Sequence, residues 1–211
     1  MLSARSMMVW LHALLLLAGL ALLPARAAEP PVILVLGDSL SAGYGLPRNT
    51  GWVSLLEQRL KSQGLDHRVV NASISGETSA GGLARLPAAL AQHRPRWVLI
   101  ELGANDGLRA LPLTALRRNL ETMVQLSRAA GATPLLFEMR IPSNYGPAYT
   151  EGFTRSFGEV AEAQSVPLVP FFLAAFATDP AAFQADGIHP AASAQPAMLE
   201  AVWAVLQPLL R

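Results

Sequence analysis

The chain contains no cysteine. That excludes a disulfide framework, a thiol nucleophile and any cysteine-held metal site. Charge is also scarce, at 15% of residues, and it nearly cancels, with 16 Lys and Arg against 15 Asp and Glu. No basic excess remains to attract nucleic acid. Long apolar runs are missing with one exception, at the very start. Met7 to Leu23 is leucine-rich, Arg5 precedes it, and Ala25-Arg26-Ala27 follows as a small-x-small cleavage site. This pattern predicts a secretory signal over residues 1–27 and a mature chain of residues 28–211. The stretch is near membrane-spanning length, but Pro24 and the cleavage site favour removal, so no stable membrane anchor is expected. The absence of cysteine excludes a lipoprotein signal. With Arg5 and Arg26 set aside, 14 basic residues face 15 acidic ones, a balance of −1.

Also absent are G-x-S-x-G, G-x-G-x-x-G, a P-loop and H-E-x-x-H, so nothing supports an α/β-hydrolase elbow, a nucleotide site or a zinc protease. No repeat, linker or low-complexity segment divides residues 28–211, which are expected to form a single domain.

What is there begins with Val32 to Leu46, VILVLGDSLSAGYGL. Five apolar residues break at Gly37-Asp38-Ser39, which reads as a buried strand running into a loop that carries Ser39. Further strands are expected at Arg68–Ala72, Trp97–Leu102, Pro134–Glu138 and Val166–Val169. Between them, apolar residues at helical spacing predict helices around Trp52–Leu60, Leu83–Leu90, Leu116–Val124 and Thr150–Gln164, with Thr78 as an N-cap and a last helix at about Ala194–Leu206. Five strands alternating with helices predict a three-layer α/β/α sandwich on a five-stranded parallel sheet, flavodoxin-like in plan. Ligands of such sheets collect at the carboxyl ends of the strands.

A serine at that position needs a base, a group to orient the base, and donors for an oxyanion. His12 lies in the signal. His67 and His93 read as surface residues. His189 sits three residues after Asp186 in DGIHP, so one loop presents both a base and a carboxylate; the alternative is a helix-entry turn capped by Asp186. Gly76 follows the second strand and Asn105 the third, and each is a candidate oxyanion donor or simply a turn residue. Leu108, Leu111, Ile141 and Pro142 lie on loops at the same edge, either as an acyl groove or as packing beneath their loops.

Four blocks carry a resemblance. GDSLSAGYGL, Ser75-Gly-Glu-Thr, Gly103-Ala-Asn-Asp-Gly and Asp186-Gly-Ile-His-Pro occur in order across the mature chain. Together they are similar to the SGNH, or GDSL, hydrolases, and Ala104 stays within that family's pattern. GANDGLR and the loop Ile141–Gly146 resemble one subgroup, the periplasmic multifunctional thioesterase, lysophospholipase and arylesterase enzymes of Gram-negative bacteria. The resemblance implies Ser39 as nucleophile, His189 as base and Asp186 as its partner. It implies Gly76, Asn105 and the Ser39 N–H as oxyanion donors, with no metal or organic cofactor. The expected activity is hydrolysis of acyl esters, thioesters or lysophospholipids through an acyl-serine, in the periplasm or outside the cell. A carbohydrate acetylesterase of the same fold, or a non-catalytic flavodoxin-like binding protein, are the alternatives. Nothing in the sequence bears on oligomeric state.

Overall fold

The computed structural model describes residues 29–210; the expected signal segment lies outside them. Five strands form one parallel sheet: β1 (Val32–Gly37), β2 (Arg68–Asn71), β3 (Trp97–Glu101), β4 (Thr133–Phe137) and β5 (Leu168–Val169), in the order β2-β1-β3-β4-β5. This is the flavodoxin-like order, whose topological switch point lies between β1 and β3. β1 and β3 are buried along their whole length. That burial is why both read as unbroken apolar runs rather than alternating ones.

The helices are α1 (Ser39–Ala42), α2 (Trp52–Ser62), α3 (Ser79–His93), α4 (Ala104–Leu108), α5 (Leu113–Ala129), α6 (Pro147–Ala163) and α7 (Gln195–Leu206). The chain moves one way from β1 to β2 and the other way from β2 onward. Right-handed crossovers then place α2 on one face and α3, α5 and α6 on the other. Contacts agree: α2 packs beside α7, and α3, α5 and α6 pack in a row. Among the described residues no helix is long and apolar enough to cross a membrane.

Three differences from the sequence expectation have physical causes. The segments carrying Ser39 and Asn105 are not open loops but the short helices α1 and α4, four and five residues long. β5 shrinks to two residues because the Val166 N–H is used to close α6, on Ala161 O at 2.9 Å, and Pro167 has no N–H to give. α6 begins three residues early, with Pro147 in its first turn, where proline's missing N–H costs nothing. Pro87 sits inside α3 on its solvent side without ending it.

On the α2–α7 face the core centres on three rings. Phe137 of β4 lies 5.9 Å from Trp52 and 5.4 Å from Phe172, the latter edge-on. All three are nearly or fully buried. Truncating a buried Phe typically costs about 3–5 kcal/mol. Phe137→Ala should therefore destabilise the protein by about that amount in urea unfolding; a loss below about 1 kcal/mol would show that these rings do not hold the α2–α7 layer to the sheet.

Candidate active site

The site is built on a turn. β1 ends at Gly37, and the register pairs Gly37 with Glu101 of β3. A Cβ on Gly37 would stand 2.5 Å from Glu101 Oε2 and 2.8 Å from Ser41 Cβ. Only glycine lets these groups close up. Asp38 follows as the N-cap of α1, its Oδ1 accepting the Leu40 N–H at 3.0 Å. Ser39 is thus the first residue of a helix, half-exposed, with its hydroxyl at the carboxyl edge of the sheet.

Two segments close around it. The loop after β2 stays alongside the turn because the Ile74 N–H donates to Gly37 O at 3.0 Å and Asn71 Nδ2 to Ser41 O at 2.7 Å. From the far end of the chain, the 186–189 loop brings His189 in. Its Nε2 is 2.9 Å from Ser39 Oγ, and its Nδ1 is 2.7 Å from Asp186 Oδ2. Asp186 Oδ1 also accepts the N–H groups of His189 (3.0 Å) and Ile188 (2.9 Å). The His189 backbone bond, then its ring, then Ile188 hold the Asp186 carboxyl down at about 2. One oxygen of Asp186 thus caps the turn, and the other meets the His189 ring. The Tyr44 ring leans on His189 with centroids 4.5 Å apart, covering one side of the imidazole.

Asn105 lies in α4, after β3. Its Nδ2 donates to Asp38 Oδ2 at 3.1 Å, leaving a second N–H on the same amide. Gly76 has φ of +78° and its carbonyl accepts Arg109 Nη2 at 2.9 Å. No hydrogen bond among the described residues joins Gly76 directly to Ser39. No hydrogen bond among the described residues joins Leu108, Leu111, Ile141 or Pro142 to Ser39, Asp186 or His189 either. Leu108 ends α4 rather than lying on a loop, and the segment from Leu108 to Leu111 is tied to the start of α6 and the turn before it by Tyr145 Oη on Leu108 O (2.7 Å) and Tyr149 Oη on Leu111 O (2.8 Å). Gly107 is a packing glycine, since a Cβ there would meet Ile141 Cγ2 and Phe153 at 2.7 Å. Of the two other histidines among the described residues, His67 is half-buried against Trp97, with ring centroids 5.2 Å apart, rather than a simple surface residue. Among the described residues no group of three or more His, Asp or Glu is arranged to hold a metal.

Sequence reasoning missed the carboxyls beneath the turn. Glu101 is fully buried, Asp38 nearly so. Glu101 Oε2 accepts the Ser41 hydroxyl at 2.5 Å and the Asp38 N–H at 3.3 Å, while Oε1 is buried without a partner. Burial first, then repulsion from Asp38, pushes Glu101 well above the carboxylate range. Burial also pushes Asp38 up, to about 6, against the lowering by the Leu40 N–H and the Asn105 amide. The upward shift is larger for Glu101, whose Oε1 is buried without a partner, so of the two carboxyls it is the one burial favours most strongly as the acid. A signal existed in the sequence: a lone carboxylate inside the buried run WVLIEL.

A hydrogen-bonded serine–histidine–aspartate chain, open to solvent at the switch point of a flavodoxin-like sheet, defines a serine hydrolase of the SGNH type. Comparison with known proteins agrees. Residues 35–195 match the model of the GDSL-like Lipase/Acylhydrolase family. Esterase TesA of Pseudomonas aeruginosa is 54% identical over 201 residues, covering 95% of this chain and all of that one. Thioesterase 1/protease 1/lysophospholipase L1 of Escherichia coli K12 is 47% identical over 191 residues, 90% of each chain. Among solved structures, the psychrotrophic esterase EstA from Pseudoalteromonas sp., inhibited by monoethylphosphonate, superposes with a TM-score of 0.81 at 45% identity, covering 85% of this chain and 98% of its own. The chain belongs to the GDSL-like lipase/acylhydrolase family, and it is an ester hydrolase.

The buried pair makes stability depend on pH. Both carboxyls bind protons more tightly in the folded chain than in the unfolded one. The stability they contribute is full below the ordinary carboxylate range and is lost as pH rises, through about 6 for Asp38 and higher for Glu101. Asp186 has the opposite sign, losing its contribution as pH falls toward about 2. Glu101→Gln keeps the acceptor oxygen and removes the charge. Its unfolding free energy relative to wild type should rise steadily from pH 4 to pH 8 in urea titrations; a difference independent of pH would mean that Glu101 is not held as the acid.

Proposed function

We propose that the enzyme cleaves acyl esters and thioesters by a two-step acyl transfer through Ser39. The observation that carries this reading is the unbroken chain from Ser39 Oγ through His189 to Asp186, with contacts of 2.9 and 2.7 Å. His189 Nε2 takes the hydroxyl proton as Ser39 Oγ attacks the acyl carbon. Asp186 holds Nδ1–H, fixing the tautomer and stabilising the imidazolium. The carbonyl oxygen becomes an oxyanion, held by the Ser39 and Gly76 N–H groups and the free N–H of Asn105. Collapse of the intermediate breaks the bond to the leaving alcohol or thiol, which receives the proton from His189. Water then attacks the acyl-serine by the same route and releases the acid.

The substrate class follows from the rim. Among the described residues the large apolar side chains most open to solvent are Tyr44, Ile74, Leu111 and Ile188. Each lies on a different segment at the carboxyl edge of the sheet, a surface suited to an acyl tail. The names of the relatives extend this to thioesters and lysophospholipids. With Met1 to Ala27 removed as a signal, the enzyme works in the periplasm or outside the cell, where lysophospholipids and exogenous esters are more accessible than acyl-CoA.

Two experiments test the reading. Ser39→Ala should remove nearly all esterase activity with the fold intact, and a fluorophosphonate should label Ser39 alone by peptide mass; labelling at Ser41 or Ser75 would overturn the assignment. For the groove, Leu111 is a better probe than Ile141, which packs against α4. Burying two or three methylenes at about 0.8 kcal/mol each corresponds to roughly 15- to 60-fold in rate. Leu111→Asp should therefore lower kcat/KM for p-nitrophenyl octanoate by roughly that factor while sparing the acetate. An equal loss on both would place the groove elsewhere.

A further inference from the structure

The mechanism above uses Asn105 and the Gly76 loop but gives no task to Asp106, the next residue along. Asp106 is 4% exposed, a carboxyl buried between helices. No cation faces it. Instead it sits on the N-terminus of α3: Oδ2 accepts the Ser79 N–H at 2.7 Å and Oδ1 accepts the Ser79 hydroxyl at 2.5 Å. Ser79 is the first residue of α3, a helix of 15 residues whose amino end carries partial positive charge. The same hydroxyl accepts Asn119 Nδ2 from α5 at 2.9 Å. The bonds therefore run in one direction, from the Asn119 amide through the Ser79 hydroxyl to the Asp106 carboxylate. Ser79 and Asn119 are also buried.

The placement matters because of what lies on either side. Asp106 adjoins Asn105 within the short helix α4, and Ser79 lies three residues beyond Gly76. Arg109, the C-cap of α4, adds a second tie on the outside, through Nη2 to Gly76 O at 2.9 Å. A helix of five residues has little stability of its own. Held at Asp106 and again at Arg109, α4 is fastened to segment 76–79, and the two candidate oxyanion donors are carried on parts that cannot move independently.

We propose that Asp106 is a positioning residue which, through Ser79 and Asn119, sets the spacing between the Asn105 amide and the Gly76 N–H. The proposal rests on the assignment of those two groups as oxyanion donors. Oxyanion donors act only if they are already in place when the charge develops, so a looser clasp reduces turnover more than substrate binding.

Asp106→Asn replaces one acceptor oxygen with an amide that opposes the Ser79 donors. In the mature enzyme, with p-nitrophenyl butyrate, it should lower kcat about tenfold or more with KM within about twofold. Asn105→Ala alone should lower kcat by about 10²–10³. In the Asn105→Ala background the Asp106→Asn change should cost less than about threefold, because a donor it positions is already gone. Ser79→Ala, which keeps the backbone bond, should give a smaller loss in the same direction and serves if Asp106→Asn does not fold. Ser127→Ala removes an equally buried hydroxyl, bonded within α5 to Met123 O, and should leave kcat unchanged. If Asp106→Asn reduced kcat by the same factor in both backgrounds, or lowered only the unfolding temperature, Asp106 would be structural and the proposal wrong. If Asn105→Ala left kcat unchanged, the oxyanion assignment itself would fail, whatever Asp106 did.

Discussion

The parallel pairing of β1 with β3 governs the rest of the site. Its register sets Gly37 opposite Glu101. From that one pairing follow the Glu101 carboxyl beneath the Ser39 turn, the bonds from Asp38 and Ser41 to it, and the emergence of α4 beside α1. A slip of one residue would turn every side chain of β3 to the other face of the sheet. Glu101 would leave the turn, and Asn105 would no longer reach Asp38. Buried side chains on both faces of β1 and β3 oppose such a slip, so the apolar core fixes the geometry of the polar site.

That site concentrates what the rest of the chain avoids. Asp38, Glu101 and Asp106 are three buried carboxyls within a largely apolar interior. Each is compensated differently. Burial favours the protonated form of Glu101. Asp38 caps α1 and receives an amide from Asn105. Asp106 rests on the amino end of α3. Each arrangement also ties one segment to another: its hydrogen bonds offset part of the cost of burial and hold a turn and two very short helices in place. Departures from the rule of apolar interiors are expected at functional sites, and here they fall directly beneath Ser39 and beside Asn105.

Legibility in the sequence divided along physical lines. The five strands and long helices were visible because buried strands are continuous apolar runs and long helices repeat every three to four residues. Ser39, Asp186 and His189 were visible because their blocks carry glycine and proline at fixed places around them. α1 and α4 were not, since four or five residues are too few to show a period. β5 was overestimated because Val166 is apolar like its neighbours yet serves the end of α6. Glu101 was visible in principle, as one charge inside WVLIEL. The Asp106–Ser79–Asn119 chain was not, because its members lie 27 and 40 residues apart and only the packing of α3, α4 and α5 brings them together. The contact of Tyr44 with His189 is likewise a product of folding.

In the mechanism we propose, the carboxyl ends of β1, β2 and β3 together form one preorganised receptor for an oxyanion. The most direct measurement is a crystal structure of the enzyme with a phosphonate on Ser39, whose tetrahedral phosphonyl group mimics the intermediate. The account predicts a phosphonyl oxygen within about 2.7–3.1 Å of the Ser39 N–H, the Gly76 N–H and Asn105 Nδ2 together, with Asn105 still bonded to Asp38. A phosphonyl oxygen directed to solvent, or held by Ser39 alone while Gly76 and Asn105 stay out of reach, would contradict it.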